Sequence, residues 1–227
     1  MKIINKIISI MMVIFLFLIV LLSNLQYLAF DKNFYIHEFN KYGIEDVTGM
    51  HSSQLNKVVA RIQDYLFGKV DSLQLNAVID GQNQKVFNER ELEHMKDVRE
   101  LFKNGFLIRN IMIFLYILTA LFLYIKKEDI FNYTYRGMLF VVLFLIVAVA
   151  VVSLDFNRWF VYFHLLFFNN NLWELDVTRD RLIQMLPEGF FSDISYLTMR
   201  NSVIVYIIIG FVSYLIKGKD HDKIGLN

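Results

Sequence analysis

Apolar residues in this chain gather in long blocks separated by polar stretches, a pattern that differs from the short, interrupted runs of a soluble core. The first block, residues 7–30, contains no charged residue. At ~1.5 Å per residue it reaches ~36 Å, more than the hydrocarbon core of a bilayer requires. Three further blocks, residues 106–125, 137–154 and 197–216, are each long enough to span. The last has Arg200 and Asn201 near its outer end. The pattern predicts an α-helical membrane protein with four transmembrane helices and a small extracellular α/β cap. The segments are 1–30 (first span), 31–105 (cap), 106–125 (second span), 126–136 (loop), 137–154 (third span), 155–196 (an aromatic-rich interfacial segment), 197–216 (fourth span) and 217–227 (tail).

Lys2 and Lys6 precede the first block as basic residues precede a signal peptide. The apolar stretch is too long for such a segment, and Ser23-Asn24-Leu25-Gln26-Tyr27 offers no small-x-small cleavage site, so the block reads as a retained anchor. Lys2, Lys6, Lys126, Lys127, Arg136, Lys217, Lys219 and Lys223 all flank spans on one side. The positive-inside rule makes that side cytoplasmic, with both termini there. Residues 31–105 and 155–196 then lie outside the cell membrane.

Within 31–105, Ser52 or Ser53 is expected to cap a helix carrying Leu55, Val58, Val59, Ile62, Tyr65 and Leu66 on one stripe. Residues 73–86 alternate weakly around Asp80-Gly81, a hairpin turn signal. Asn88, with Glu91 three residues on, reads as a capping box that opens a helix running directly into the second span. That helix centres its apolar face on Leu92, Met95, Val98 and Phe102. His94 lies at the edge of the face, with Asp97 one turn along and able to orient its ring. From periodicity alone the two read as a solvated pair on an ordinary amphipathic face.

The segment 155–196 surrounds His164 with Trp159, Phe160, Tyr162, Phe163, Phe167, Phe168 and Trp173 before turning polar at Asn169. Such aromatics suit an interfacial belt, and alone His164 reads as a belt residue. A short helix carrying Leu182, Ile183, Met185 and Leu186 is expected before Pro187 closes it.

Composition narrows the chemistry. A formal net charge of +1 gives no reason to expect a nucleic-acid partner. The chain has no cysteine, hence no disulfide, thiolate nucleophile or cysteine metal ligand. A His94, Asp97 and His164 metal set is the nearest enzymatic rival to metal-free chemistry, although HxxD is a common spacing. A non-catalytic membrane sensor or complex subunit, with a partner-binding cap, is the rival from another class. The spans carry too little interior charge for a transporter.

In order and position relative to the spans, several motifs together resemble the bacterial lipoprotein intramolecular transacylases. They are His94-Met95-x-Asp97-Val98-Arg99, Tyr162-Phe163-His164, Phe167-Phe168-Asn169 followed by Trp173 and Asp176, and Met185-Leu186-Pro187-Glu188-Gly189-Phe190-Phe191. The resemblance implies an enzyme that moves the sn-2 acyl chain of a diacylglyceryl-cysteine lipoprotein to the α-amino group of that cysteine. It further implies His94 and His164 as the catalytic residues, diacylglyceryl-modified lipoproteins and membrane lipid as partners, and no cofactor or metal. An acid–base pair fits, because the attacking amine must lose a proton and the departing oxygen must gain one. Asp97 favours His94 as the base, leaving His164 as the acid or oxyanion partner. Arg99, Arg158 and Asn169 are candidate supporting donors; Trp159, Tyr162, Phe163, Phe167, Phe168 and Trp173 are candidates to line the substrate site. His37, His51 and His221 read as surface residues.

Overall fold

The computed structural model describes residues 2–217, and the calls on Lys219, His221 and Lys223 lie outside the described residues. Its elements are α1 (Lys2–Phe30), α2 (Lys32–Lys41), α3 (Ile44–Thr48), α4 (Ser52–Leu66), β1 (Asn76–Ile79), β2 (Gln82–Lys85), α5 (Glu89–Ile125), α6 (Ile130–Leu154), α7 (Phe156–Phe167), α8 (Arg181–Met185) and α9 (Glu188–Ile216). Helices α1, α5, α6 and α9 are long and apolar enough to cross a membrane. The helices start earlier than the apolar blocks because polar caps nucleate them. Asp129 accepts from the Asn132 N–H at 2.9 Å ahead of α6, and α9 begins directly after Pro187.

The chain divides into two compact units. One comprises Met1–Leu25, Phe106–Leu154 and Tyr196–Asn227. Val20, Leu145 and Tyr206 form its buried centre, with Phe17, Met138 and Val142 packed around them. A methyl group on Gly210 would collide with the Met138 side chain, so the glycine eases the close approach of α9 to α6. Polar ties complete the unit: Asn24 donates to Ser202 Oγ at 3.3 Å, and Asn5 donates to Glu128 at 2.6 Å.

The other unit comprises Gln26–Gly105 and Asp155–Ser195. Here α4 buries Leu55, Val58, Val59, Ile62, Tyr65 and Leu66, the stripe expected from its periodicity. Its cap differs from expectation. His51 occupies the N-cap position without a side-chain bond, and Ser52 and Ser53 are the first helical residues. The extended backbone of His51 already lets its carbonyl accept from Gln54 and Leu55, so neither serine hydroxyl is needed there. The β1–β2 hairpin pairs Asn76 with Lys85 and Ile79 with Gln82. Asp80 and Gly81 both have positive φ, 50° and 78°, the backbone that a two-residue hairpin turn requires. Asp31 caps α2 by accepting from the Asn33 N–H at 3.0 Å. Phe190, at the start of α9, lies 5.1 Å from both Phe34 and Tyr35 of α2.

Candidate active site

The first turns of α5 and the whole of α7 bring the two histidines together. Asn88 and Glu91 form the reciprocal capping box: the Asn88 N–H donates to Glu91 Oε2 at 2.7 Å, and the Glu91 N–H donates to Asn88 Oδ1 at 3.0 Å. Glu91 Oε1 also accepts from the Leu182 N–H at 2.6 Å, so one buried carboxylate serves the beginnings of α5 and α8. One turn beyond Glu91 stands His94, 7 % exposed, with a buried Nδ1 that has no hydrogen-bond partner among the described residues.

Helix α7 is absent from the sequence-based description of this segment, although a signal was present. Asp155 is its N-cap and accepts from the Arg158 N–H at 3.1 Å. His164 lies in its last turn, also 7 % exposed. Its Nδ1 is 2.7 Å from the Phe160 carbonyl oxygen. A carbonyl only accepts, so Nδ1 carries the hydrogen and Nε2 holds the lone pair of the neutral ring.

The ring centroids of His94 and His164 are 6.2 Å apart. Phe168 flanks both, at 5.3 Å and 5.6 Å. Trp173 stacks on His164 at 4.7 Å with an interplanar angle of 27°, and Phe163 meets it edge-on at 5.4 Å. Phe160, named among the aromatics around His164 but not among the lining candidates, supplies both the carbonyl for Nδ1 and a ring 4.3 Å from the imidazole. Its position one turn before His164 was the available signal. Trp159 and Tyr162 pair with each other at 5.9 Å on an exposed part of α7, while Phe167 is exposed and packs on Phe163 at 4.9 Å.

The supporting candidates are placed differently. Asp97 accepts from Asn170 Nδ2 at 2.9 Å and makes no hydrogen bond to His94. Arg99 lies over the Tyr65 ring at 4.6 Å and pairs with Asp71 at 3.8 Å. Arg158 turns back to Asp155 at 3.5 Å. Asn169 is exposed and has no hydrogen bond among the described residues. His37 and His51 are exposed.

Burial governs the charge of both imidazoles. His94, in the polar turns of α5 ahead of its apolar stretch, is pushed down to about 4 by desolvation and by the neighbouring His164, with Asp97 opposing weakly. Desolvation also lowers His164, against the opposing effect of its bond to Phe160. At neutral pH the site therefore presents two uncharged imidazoles among aromatic rings. Among the described residues no three histidine, cysteine, aspartate or glutamate side chains converge on a metal-binding geometry, so the His94, Asp97 and His164 set is not assembled.

The fold has solved counterparts. The lipoprotein intramolecular transacylase Lit from Bacillus cereus superposes with a TM-score of 0.82 at 20 % identity, covering 97 % of this chain and 100 % of that one. A variant of the same protein with a histidine replaced by arginine gives a TM-score of 0.78 at 20 % identity, covering 96 % and 95 %. No match is found among curated protein sequences. The family model of the lipoprotein intramolecular transacylase Lit matches residues 10–191, spanning both histidines and most of the fold, and the chain belongs to that family of membrane enzymes.

Proposed function

We propose that the enzyme transfers the sn-2 acyl chain of an S-diacylglyceryl-cysteine to the α-amino nitrogen of the same residue, with His164 as the base and His94 as the hydrogen-bond donor to the oxyanion. The observation that carries this reading is the pair of buried, neutral imidazoles 6.2 Å apart, one with its tautomer fixed by Phe160. The reading as a non-catalytic sensor or subunit gives way to the family's activity.

The roles follow from the hydrogen bonds. His164 has its Nε2 lone pair available and its Nδ1–H already donated, so its protonated form keeps a partner for the new charge. It is the better base of the two, since His94 is pushed further down and has no bond to a carboxylate. This reverses the assignment that the Asp97 spacing favoured. In the reaction the amine nitrogen bonds to the ester carbonyl carbon and passes its proton to His164 Nε2. The carbonyl oxygen becomes an oxyanion facing the neutral N–H of His94, as a neutral imidazole can polarise a carbonyl elsewhere. The tetrahedral species then breaks its bond to the sn-2 oxygen, which takes the proton back from His164 Nε2 and leaves as a hydroxyl, so that both rings end neutral. Ester becomes amide, and the proton count balances without a co-reactant.

Most of the acceleration comes from folding one flexible lipid-modified residue onto itself, since positioning of this kind contributes ~7–11 kcal/mol. Phe163, Phe168 and Trp173 surround the imidazole and keep water, which would hydrolyse the ester, away from it. The basic flanks Lys2, Lys6, Lys126, Lys127 and Arg136 support an orientation with the termini in the cytoplasm and the histidines on the outer side of a bacterial membrane.

The test is fragmentation mass spectrometry of a diacylglyceryl-cysteine lipopeptide after incubation with the purified enzyme, because intramolecular transfer leaves the intact mass unchanged. The N-acylated cysteine fragment is expected with the wild type. His94→Ala and His164→Ala each lower its rate of appearance on the order of 10²–10⁴-fold. Folded variants that produce it at the wild-type rate would refute the paired-histidine mechanism.

A further inference from the structure

Arg90, His94 and Asp97 occupy the i, i+4 and i+7 positions of α5 and so share one face. The middle residue meets His164. The outer two grip a turn of chain that is distant in sequence. Arg90 Nη2 donates to the Asn171 carbonyl at 2.5 Å, and its Nε donates to the Leu172 carbonyl at 3.4 Å. Asp97 accepts from Asn170 Nδ2 at 2.9 Å, while Asn170 Oδ1 accepts from the Leu172 N–H at 3.0 Å and closes the turn. The following residue is Trp173, stacked on His164. Farther along, Asn88 Nδ2 donates to Asp180 at 2.7 Å and Glu91 receives the Leu182 N–H.

We infer that Arg90 and Asp97 are positioning residues for the acyl transfer: they clamp the Asn170–Leu172 turn against α5 and thereby hold Trp173 on the His164 ring. The inference rests on the paired-histidine reading for its catalytic meaning, and on geometry alone for its structural part. It accounts for Asp97, whose carboxylate is engaged by Asn170 and reaches His94 only through space. A single hydrogen bond contributes only modestly to stability once exchanged for water, so loss of either clamp releases the turn for part of the time. Loss of both releases it for most of the time. While the turn is released, Trp173 no longer covers the imidazole and water reaches the ester.

The chain contains only two tryptophans, so Trp159→Phe isolates the fluorescence of Trp173. A protonated imidazole stacked on indole quenches it, and the emission therefore follows the titration of His164. His94 shares the site, so the titration is read with His94→Gln also present, leaving His164 as the imidazole stacked on Trp173. In that background the quenching midpoint is expected below the ordinary ~6.5, and His164→Gln abolishes it. Adding Arg90→Gln or Asp97→Ala is expected to weaken the quenching and raise the midpoint toward ~6.5, because water now solvates the charged ring. The exchange of Asp97→Asn with Asn170→Asp reverses donor and acceptor while keeping the bond, and is expected to restore the parent curve.

In the otherwise intact enzyme, Arg90→Gln lowers kcat about tenfold with KM within about twofold, and releases more free fatty acid per amide formed. Unchanged quenching and midpoint in both single variants would overturn the clamp. So would an exchange variant that behaves like Asp97→Ala while unfolding at the parent temperature. If the fluorescence responds as stated but neither histidine is needed for acyl transfer, the clamp stands and the proposed mechanism falls.

Discussion

His94 and His164 are held neutral by their buried surroundings, and that has a consequence for stability. An unfolded histidine takes up its proton as pH falls below about 6.5, whereas folded His94 resists protonation down to about 4. Between those values the unfolded chain binds more protons, so stability falls as pH falls; above about 6.5 the contribution is fully present. At pH 5 the loss from His94 amounts to ~2 kcal/mol. His94→Gln should therefore show a smaller drop in unfolding temperature than wild type between pH 7.5 and pH 5, measured in detergent; equal drops would contradict it. The sequence marked His94 and His164 through motifs, and Asp97 through helical spacing. It did not show where the Asp97 carboxylate goes, because Asn170 lies 73 positions away and no local period links them. Arg90 was equally hidden. Its acceptors, Asn171 and Leu172, are backbone carbonyls, which carry no side-chain signature.

Between elements, a second buried acid ties α2 to α9. Glu38 is 2 % exposed, and its side chain meets Asp193, whose carboxylate also accepts from the Tyr42 hydroxyl at 2.6 Å and from Lys41. Desolvation and the adjacent Asp193 raise Glu38 to about 7, with Lys41 opposing. The folded state thus keeps a proton that the unfolded chain loses near pH 4.5. Stability from this site is complete below that value and declines as pH rises through about 7. Glutamine can donate to Asp193 with no proton to lose. Glu38→Gln should raise the unfolding temperature at pH 8 and leave it nearly unchanged at pH 4.5; a variant that destabilises at pH 8 would refute the retention of a proton on Glu38. Elements of this unit differed in how plainly the sequence announced them. The α4 stripe, the Asp80-Gly81 turn and the Asn88–Glu91 box each combine a local period or cap with burial on one side, and all three formed. Helix α7 lacks a polar face for contrast: Tyr162, Phe163, Leu165, Leu166 and Phe167 are all exposed, so apolar residues occur all round it and the helical period is masked.

At the scale of the whole molecule, the proposed topology follows from parity: if all four apolar helices of the described residues cross, the cap and residues 155–195 share one side and the loop between α5 and α6 lies on the other. The spans were legible because blocks of apolar residues need no tertiary information to be recognised. Which side is outside rests on Lys126, Lys127 and Arg136 in that loop and on Lys2 and Lys6 before the first span. The absence of native cysteine makes this directly testable, since any introduced thiol is the sole target of a maleimide. Asn56, exposed on α4, and Lys126, exposed after α5, report opposite sides. In intact cells a membrane-impermeant maleimide should label Asn56→Cys, and should label Lys126→Cys only after permeabilisation. The reverse pattern would place both histidines on the cytoplasmic face. The reaction would then have to reach its lipid-modified cysteine on that side, and a substrate displayed on the outer surface would be out of reach.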